Sequence, residues 1–431
     1  MIKNYITIAL KVLMRRKFFT AVSLFGISFT LMTLVVASSF LDYSFSAKAP
    51  EEKFDRVLWA ERYRMRSPDK NSNWSSDGTG YYTVNHYLRK SVEKLGDMVE
   101  KYSVFTNSGG GIIYLETEKI SFRNRRTDGA YWEIIDFEFL EGRGLSDDDD
   151  KNRNNVCVIN ETLRNRFFKG ENAVGKTVLY DGYNYKVVGV VKDVPETRSI
   201  AFSDMWLPIS STLNQNYNKI PTANEDLMDG GYQAMYLVKS KAFFDEVKTA
   251  SQAALNEVIF PDPKEYSFLE TRPRTKFESV SANLFFDWEQ MLSTEQSHKL
   301  MLGIILAYLV FMILPAVNLI NLNTSRMMER ASEIGVRKAF GAASPTLVTQ
   351  FIIENVCLTV IGGAIGLILS VFALRMINES GIWKYADFGL NWKVFLIGLF
   401  LSLLFGVISG AYPAWKMSRL NVVQALKGIR S

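Results

Sequence analysis

The sequence predicts an α-helical membrane protein with four transmembrane helices and a large extracytoplasmic α/β (α+β) domain inserted between the first and second spans. Three observations predict it. Four uncharged apolar blocks lie towards the two ends of the 431-residue chain. One long polar segment separates the first block from the other three. Lysine and arginine are more numerous on the flanks at one side of the blocks. The overall balance, 48% hydrophobic and 13% aromatic residues, excludes a disordered chain, which is poor in aromatics. With two cysteines a disulfide scaffold is excluded as well.

A helix needs about 20 apolar residues to cross the hydrocarbon core. Residues 19–41, 300–325, 356–374 and 394–415 each run without a charged side chain. With their flanks they place spans at 18–41, 300–325, 346–374 and 394–415. The first block has a basic front, and Ala47-Lys48-Ala49 fits a small-residue cleavage pattern. A secretory signal's apolar core runs about 7–15 residues, however, and this block is longer, so it reads as an uncleaved anchor. Lys3, Lys11, Arg15, Arg16 and Lys17 precede it; Arg326, Arg330, Arg337 and Lys338 follow the second block; Lys416, Arg419, Lys427 and Arg430 follow the fourth. The positive-inside rule puts all three segments, and both termini, in the cytoplasm. Residues 42–299 and the short loop 375–393 then lie on the far side. The formal net charge of +5 is a topology signal, and no single basic stripe points to nucleic acid.

In chain order, residues 1–17 set Ile2, Tyr5, Ile6, Ala9 and Leu13 against a polar stripe of Lys3, Thr7, Lys11 and Arg15. That pattern suits an amphipathic helix lying on membrane lipid at the cytoplasmic interface. The outside domain reads as strands at 56–60, 111–122, 156–160, 176–180, 183–192 and 232–239, with helices at 84–102, 161–168 and 241–259. Residues 232–270 read β-α-β. Composition shifts near 130–150 and 210–230 suggest two subdomains joined by the polar stretch 214–229. Ser344-Pro345 is a helix start, serine as N-cap and proline in the first turn. A helix from there to Ile377 is about 50 Å long, more than the roughly 30 Å core it crosses. Cys157 falls outside and Cys357 in the third span, so they cannot pair.

Gly398, Ser402, Gly406 and Gly410 repeat at four-residue spacing in the fourth span, and the third carries Gly362, Gly363 and Gly366. Small residues in register let helices approach closely. They serve either a tight, mobile helix pair or dimer seam, or ordinary bundle packing. Pro315 frees a backbone carbonyl and kinks the second span; Pro413 helps to end the fourth. Glu354 is the one acid near a span. An intramembrane ionisable group points to function, but a position at the cytoplasmic interface, or capping the packing between helices, is the preferred reading of Glu354.

Catalytic chemistry is thin. Gly170-Glu-Asn-Ala-Val-Gly175-Lys176-Thr177 matches the Walker A letters, yet a phosphate cradle needs a strand before it and a helix after. Here the order is reversed, and the topology puts the segment on the side away from ATP. His86 and His298 are the only histidines, which excludes a multi-histidine metal site. The run Asp147 to Asp150 lacks the ligand spacing of a calcium loop and reads as a solvated acidic turn. We expect no cofactor or metal bound by this chain, and no enzyme activity.

The connection 326–345 differs from an ordinary loop. Glu329, Arg330, Glu333, Arg337 and Lys338 offer both signs of charge on the ATP side, and Gly335 and Gly341 permit a turn or close approach. Composition alone leaves a force-transmitting dock and a solvated basic loop about even. The run Glu333-Ile-Gly-Val-Arg-Lys-Ala-Phe-Gly-Ala342, followed by Gln350-Phe-Ile-Ile-Glu354, resembles the MacB/FtsX-like family of ABC transporter permeases. The ending Tyr412-Pro-Ala-Trp-Lys-Met-Ser-Arg-Leu-Asn-Val-Val-Gln-Ala-Leu-Lys427 is similar to that family's. Gly142-Arg143-Gly144-Leu-Ser-Asp147, Ala173-Val-Gly-Lys-Thr177 and Tyr185-Lys-Val-Val-Gly-Val-Val-Lys-Asp193 resemble its MacB-like periplasmic core domain.

The resemblance implies an ABC-exporter permease in the bacterial inner (cell) membrane, multi-pass. It implies ATPase coupling through Glu329, Arg330, Glu333, Ile334, Gly335, Arg337, Lys338 and Gly341. MacB carries a fused ATPase, for which this chain has no room, so ATP and Mg are expected in a separate cytoplasmic ABC ATPase subunit. Further expected partners are a second permease copy or paralogue forming a dimer, and a periplasmic adaptor or outer-membrane protein. Cargoes would be peptides, antimicrobials, lipoproteins or other envelope molecules. Two alternatives stay open: an FtsX-like regulator of cell-wall hydrolases that transports nothing, and a membrane-anchored sensor or adhesion module with no ATPase.

Overall fold

The computed structural model describes residues 2–68, 75–79, 92, 95–115, 118–211, 231–257, 259–265, 267–285, 295–329, 336 and 344–418. The chain divides into two units: residues 1–43, 301–382 and 387–431 form the first, and residues 44–300 with 383–386 the second. It opens with α1 (Ile2–Arg15) and α2 (Lys17–Phe45). Ala9 and Leu13 on the apolar stripe of α1 are buried, while Ile6 of the same stripe is exposed. Helix α2 is apolar all round rather than on one face, and it is long and apolar enough to cross a membrane.

The second unit is built on a ten-stranded mixed sheet. Its strands, with those of a small side sheet, are β1 (Val57–Ala60), β2 (Arg62–Arg66), β3 (Ser75–Thr79), β4 (Val99–Thr106), β5 (Gly109–Leu115), β6 (Glu118–Thr127), β7 (Phe139–Gly142), β8 (Val156–Asn160), β9 (Thr177–Tyr180), β10 (Tyr183–Val191), β11 (Met205–Pro208), β12 (Tyr232–Val238) and β13 (Phe268–Glu270). The large sheet runs β1-β12-β4-β6-β11-β8-β10-β7, with β5 on β6 and β9 on β10; β13-β2-β3 form the side sheet. Two pairs are parallel, β6 with β11 and β8 with β10. The helices of this unit are α3 (Gly129–Ile134), α4 (Asp147–Lys151), α5 (Glu161–Phe168), α6 (Phe244–Leu255) and α7 (Lys276–Phe285).

The middle strands are covered on both faces, which explains their unbroken apolar runs. Along β8, Val158 enters one core with Trp206 and Tyr131, while Cys157 and Ile159 enter another with Met205 and Leu207. Strand β12 splits likewise: Ala234, Tyr236 and Val238 pack with Val247 and Leu255 of α6, and Met235 and Leu237 face the aromatic core. Burial pushes the Cys157 thiol well up, so it packs as a small apolar side chain.

The strand at 156–160 and the helix at 161–168 appear with the expected bounds. Two expectations are corrected. Residues 111–122 are not one strand but the hairpin β5–β6, paired from Gly109↔Asn124 to Leu115↔Glu118. The helix expected over 84–102 gives way at Val99 to β4, which pairs with β12 from Val99↔Val238 to Thr106↔Tyr232; most of 84–94 lies outside the described residues. The β-α-β reading of 232–270 holds for element order, but β13 joins β2 in the side sheet rather than β12.

The Gly142-to-Asp147 motif has a packing reason. Gly142 takes φ +66, and a Cβ there would meet the Val188 carbonyl oxygen at 2.1 Å. That close crossing sends Arg143 towards Asp149, 2.6 Å away. Ser146 and Asp149 form a capping box at the start of α4. Burial raises the Asp149 carboxyl, but hydrogen bonds from Arg143, Ser146 and Asn154 outweigh it and hold the group well below the usual carboxylate range.

The chain ends its described course in α8 (Glu295–Glu329), α9 (Ser344–Glu379) and α10 (Trp392–Ser418). Helix α9 opens at Ser344 as the Ser-Pro pair predicts, and its 36 residues span about 54 Å. Within it, Val348–Glu379 is long and apolar enough to cross a membrane; among the described residues the apolar stretches of α8 and α10 are shorter, Gln296–Phe311 and Trp392–Ile408.

Because the folded Asp149 carboxyl is depressed, its contribution is present above the unfolded carboxylate value, about 3.9, and is lost as pH falls through the folded value. Asp149→Asn is therefore expected to lower thermal stability of the full chain in detergent at pH 7. The gap to wild type should close below about pH 4. A pH-independent gap contradicts this assignment.

Candidate functional site

Of the residues that the resemblance suggests for ATPase coupling, Glu329 closes α8. Arg330, Glu333, Ile334, Gly335, Arg337, Lys338 and Gly341 lie outside the described residues.

The small residues of α9 and α10 are described up to Gly406, with Gly410 placed on α10. A Cβ on Gly362 would meet Ile27 at 2.9 Å, one on Gly366 the Ser28 carbonyl at 3.1 Å, and one on Gly398 Leu31 at 3.0 Å. Gly363 faces Leu399, and Gly406 faces Thr359. Ser402 is half-buried. These glycines thus receive side chains of α2 and of each other's helices within the same unit. Ser28 Oγ donates to the Gly362 carbonyl at 2.9 Å, a backbone acceptor reached only because Gly362 has no side chain. The seam is apolar, with Leu13, Ile27, Leu31 and Leu358 at its centre. Glu354 is buried on α9 among Gln350, Asn355 and Thr359, which are buried too.

The Walker-like letters form a turn, as the order of elements predicts. Lys169 caps α5 in the left-handed conformation, and β9 follows at Thr177. The amide of Ala173 donates to the Glu141 carboxylate at 2.8 Å, and that of Gly175 to the Val187 carbonyl at 2.9 Å. Lys176 pairs with Glu171 at 2.8 Å. Donors that would cradle a phosphate are spent inside the protein.

Two clusters in the second unit were not anticipated. In the first, Glu51 is fully buried between two cations, Arg198 at 3.3 Å and Lys276 at 3.0 Å. Arg198 also donates to the Ser46 carbonyl at 2.7 Å. Arg125 lies buried nearby over the Phe105 ring at 5.2 Å; burial pushes its guanidinium down, against the pull of Tyr131 and Glu51. In the second cluster, Asn160, Asp204 and Tyr385 share hydrogen bonds. No spacing rule reveals either cluster, since Glu51 lies 147 and 225 positions from its partners. Among the described residues no group of three potential metal ligands occurs.

A family model described as the MacB-like periplasmic core domain matches residues 20–254, and one described as the FtsX-like permease C-terminal matches residues 305–422. The chain belongs to the MacB/FtsX-like family of ABC transporter permeases. Family members are membrane proteins with a periplasmic domain, and the core-domain match covers most of the second unit here. Among relatives, the uncharacterized ABC transporter permease YknZ of Bacillus subtilis is 26% identical over 85% of this chain and 84% of its own length. The macrolide export ATP-binding/permease protein MacB of Campylobacter jejuni is 29% identical over 77% of this chain. The chain spans 48% of that relative's length. Solved structures similar to this chain include the following two. A domain of a permease protein from Porphyromonas gingivalis (17% identity, TM-score 0.40) covers 52% of this chain and 90% of its own. The periplasmic region of MacB from Actinobacillus actinomycetemcomitans (17% identity, TM-score 0.34) covers 54% and 94%.

Two substitutions test the permease's internal contacts. Glu51→Ala strands two cations in the interior and is expected to cost about 3–5 kcal/mol, read by chemical unfolding of the full chain; a loss under 1 kcal/mol contradicts the buried-pair geometry. Gly362→Leu is expected to lower the thermal midpoint clearly, because it drives a side chain into Ile27. Gly303→Leu, at a position with nothing within 4 Å, serves as the control and is expected to leave it unchanged.

Proposed function

We propose that this chain is the permease subunit of an ABC exporter that couples ATP hydrolysis by a separate ATPase subunit to motion of its extracytoplasmic domain. The observation that carries the reading is the pairing of the two family matches in one chain, residues 20–254 and 305–422. YknZ, matched over 84% of its own length, is named a permease alone, whereas the MacB name joins ATP-binding and permease parts. That difference supports a separate ATPase, holding ATP and Mg, and a non-catalytic role for this chain.

In this reading four spans, 18–41, 300–325, 346–374 and 394–415, place both termini in the cytoplasm of a bacterial cell. Two permeases, identical or paralogous, pair with the ATPase subunits. The segment 326–345 takes up the ATPase's closure through Glu329, Arg330, Glu333, Ile334, Arg337 and Lys338, with Gly335 and Gly341 allowing close approach. The tight glycine seam at Ile27 and Leu31 supports rigid transmission, because close-packed helices move together rather than deforming. The uncharged spans offer scant polar pathway, which favours cargo handled outside the membrane: peptides, antimicrobials, lipoproteins or other envelope molecules. A periplasmic adaptor or outer-membrane protein would then receive it.

The double charge reversal Glu333→Lys with Arg337→Glu is expected to abolish co-purification of the ATPase in mild detergent, while the variant still inserts and folds. Undiminished ATPase recovery with the reversed pair contradicts this placement of the coupling segment.

A further inference from the structure

The connection between α9 and α10 begins and ends in the first unit, yet its four residues Trp383–Ala386 belong to the second. The chain therefore passes between the units after Tyr43, after Leu300, and again on each side of this tetrapeptide. Inside the second unit the tetrapeptide is held by a two-way exchange. The Glu196 amide donates to the Lys384 carbonyl at 3.0 Å, and the Lys384 amide donates back to Glu196 Oε2 at 3.4 Å. Lys384 Nζ lies 3.7 Å from Asp204 Oδ2.

Tyr385 reaches deepest. Its ring packs on the aromatic core of the large sheet. Its hydroxyl donates to Asp204 Oδ1 at 3.1 Å and accepts from Asn160 Nδ2 at 3.3 Å, and Asn160 Nδ2 closes the triangle on Asp204 at 3.0 Å. Asn160 is also the N-cap of α5, accepting from the Leu163 amide at 2.9 Å. Its own amide donates to the Asp204 carbonyl at 2.9 Å. One phenol thus hangs on the β8–α5 junction and on the residue that opens β11. Burial, with Asp204 and Asp193 adding to it, pushes Tyr385 up to about 12, so the hydroxyl keeps its proton at neutral pH.

The backbone adds an independent observation. Tyr385 sits at φ +56, a left-handed conformation that a bulky side chain rarely adopts. Four residues earlier Gly381 takes φ +67, where glycine has no such penalty. Strain of this kind persists only where surrounding contacts over-determine it, and it concentrates at functional positions. Here those contacts are the hydroxyl's.

We propose that Tyr385 is a positioning residue for coupling: a strained, hydrogen-bonded latch through which the α9–α10 connection pulls on the β8–α5 junction and on β11. The source of the pull rests on the permease reading above; the latch itself rests on the geometry of the second unit.

The test is hydrogen–deuterium exchange of the full-length chain in lipid nanodiscs, comparing wild type with Tyr385→Phe, which keeps the ring and removes the hydroxyl. Amides of Glu196, Lys384 and Leu163 are expected to exchange at least tenfold faster in the variant, while those of β12 stay as in wild type. Unchanged exchange at Glu196 and Lys384 overturns the latch. Tyr385→Gly, which relieves the strain and also removes the hydroxyl, is expected to loosen the same amides; protection equal to wild type again overturns it. With the ATPase bound and trapped by ATP and vanadate, wild type is expected to change exchange over residues 160–163. In Tyr385→Phe that response is lost while basal ATP hydrolysis stays within twofold. A Phe variant that responds like wild type overturns the coupling role. A chain that recruits no ATPase contradicts the permease reading, and exchange in the free chain still decides the latch.

Discussion

The middle strands of the large sheet in the second unit, β8, β11 and β12, are buried on both faces, and much of that unit follows from this constraint. A strand covered on two sides has no solvent face, so its side chains must be apolar at every position or find partners inside. Strands β8, β11 and β12 meet the demand with near-continuous apolar runs. Where polar groups enter, some are drawn into a local exchange: Asp128 caps α3 and also accepts from Ser103 and Val104, and Asn160 caps α5 while holding Asp204. Glu51 illustrates the cost of the same rule for a charge. It is fully buried with Arg198 and Lys276 beside it, so removing the acid would take a counter-charge from both.

The first unit solves the related problem of an apolar surround with long helices, which satisfy their own backbone groups. Its specificity comes from size rather than charge. Ile27 and Leu31 of α2 fill the places where Gly362, Gly366 and Gly398 have no side chains. Two packing principles therefore coexist in one chain, polar exchange beneath the sheet and close apolar approach among the helices. The tetrapeptide Trp383–Ala386 is the segment in which a helix connection takes part in the first of them.

Legibility in the sequence follows the same line. Elements with a strong local signal were readable: the apolar run of β8, the Asn-capped α5, the Ser-Pro start of α9. Elements whose identity comes from distant pairing were not. Strand β2, with the sequence Arg-Tyr-Arg-Met-Arg, turns only Tyr63 and Met65 to the core, an alternation too short to stand out among three arginines, and it pairs with β13 and β3. Residues 84–102 carry apolar side chains near helical spacing, but from Val99 the ladder with β12 overrides that pattern. The hairpin β5–β6 reads as one strand in the sequence because its second arm, with Arg123, Arg125 and Arg126, is too polar to announce itself. The family resemblance was legible because its motifs are contiguous. The Glu51 and Tyr385 clusters were invisible because their members meet only in the folded chain.

The central claim is that ATP hydrolysis by a bound partner moves the extracytoplasmic domain. The most direct measurement places a spin label at exposed Leu179 in the assembled permease–ATPase complex in nanodiscs. It then compares label-to-label distances between the two permease copies in nucleotide-free and vanadate-trapped states. A shifted distribution on trapping is the result this account predicts. Identical distributions in a complex that hydrolyses ATP would contradict it.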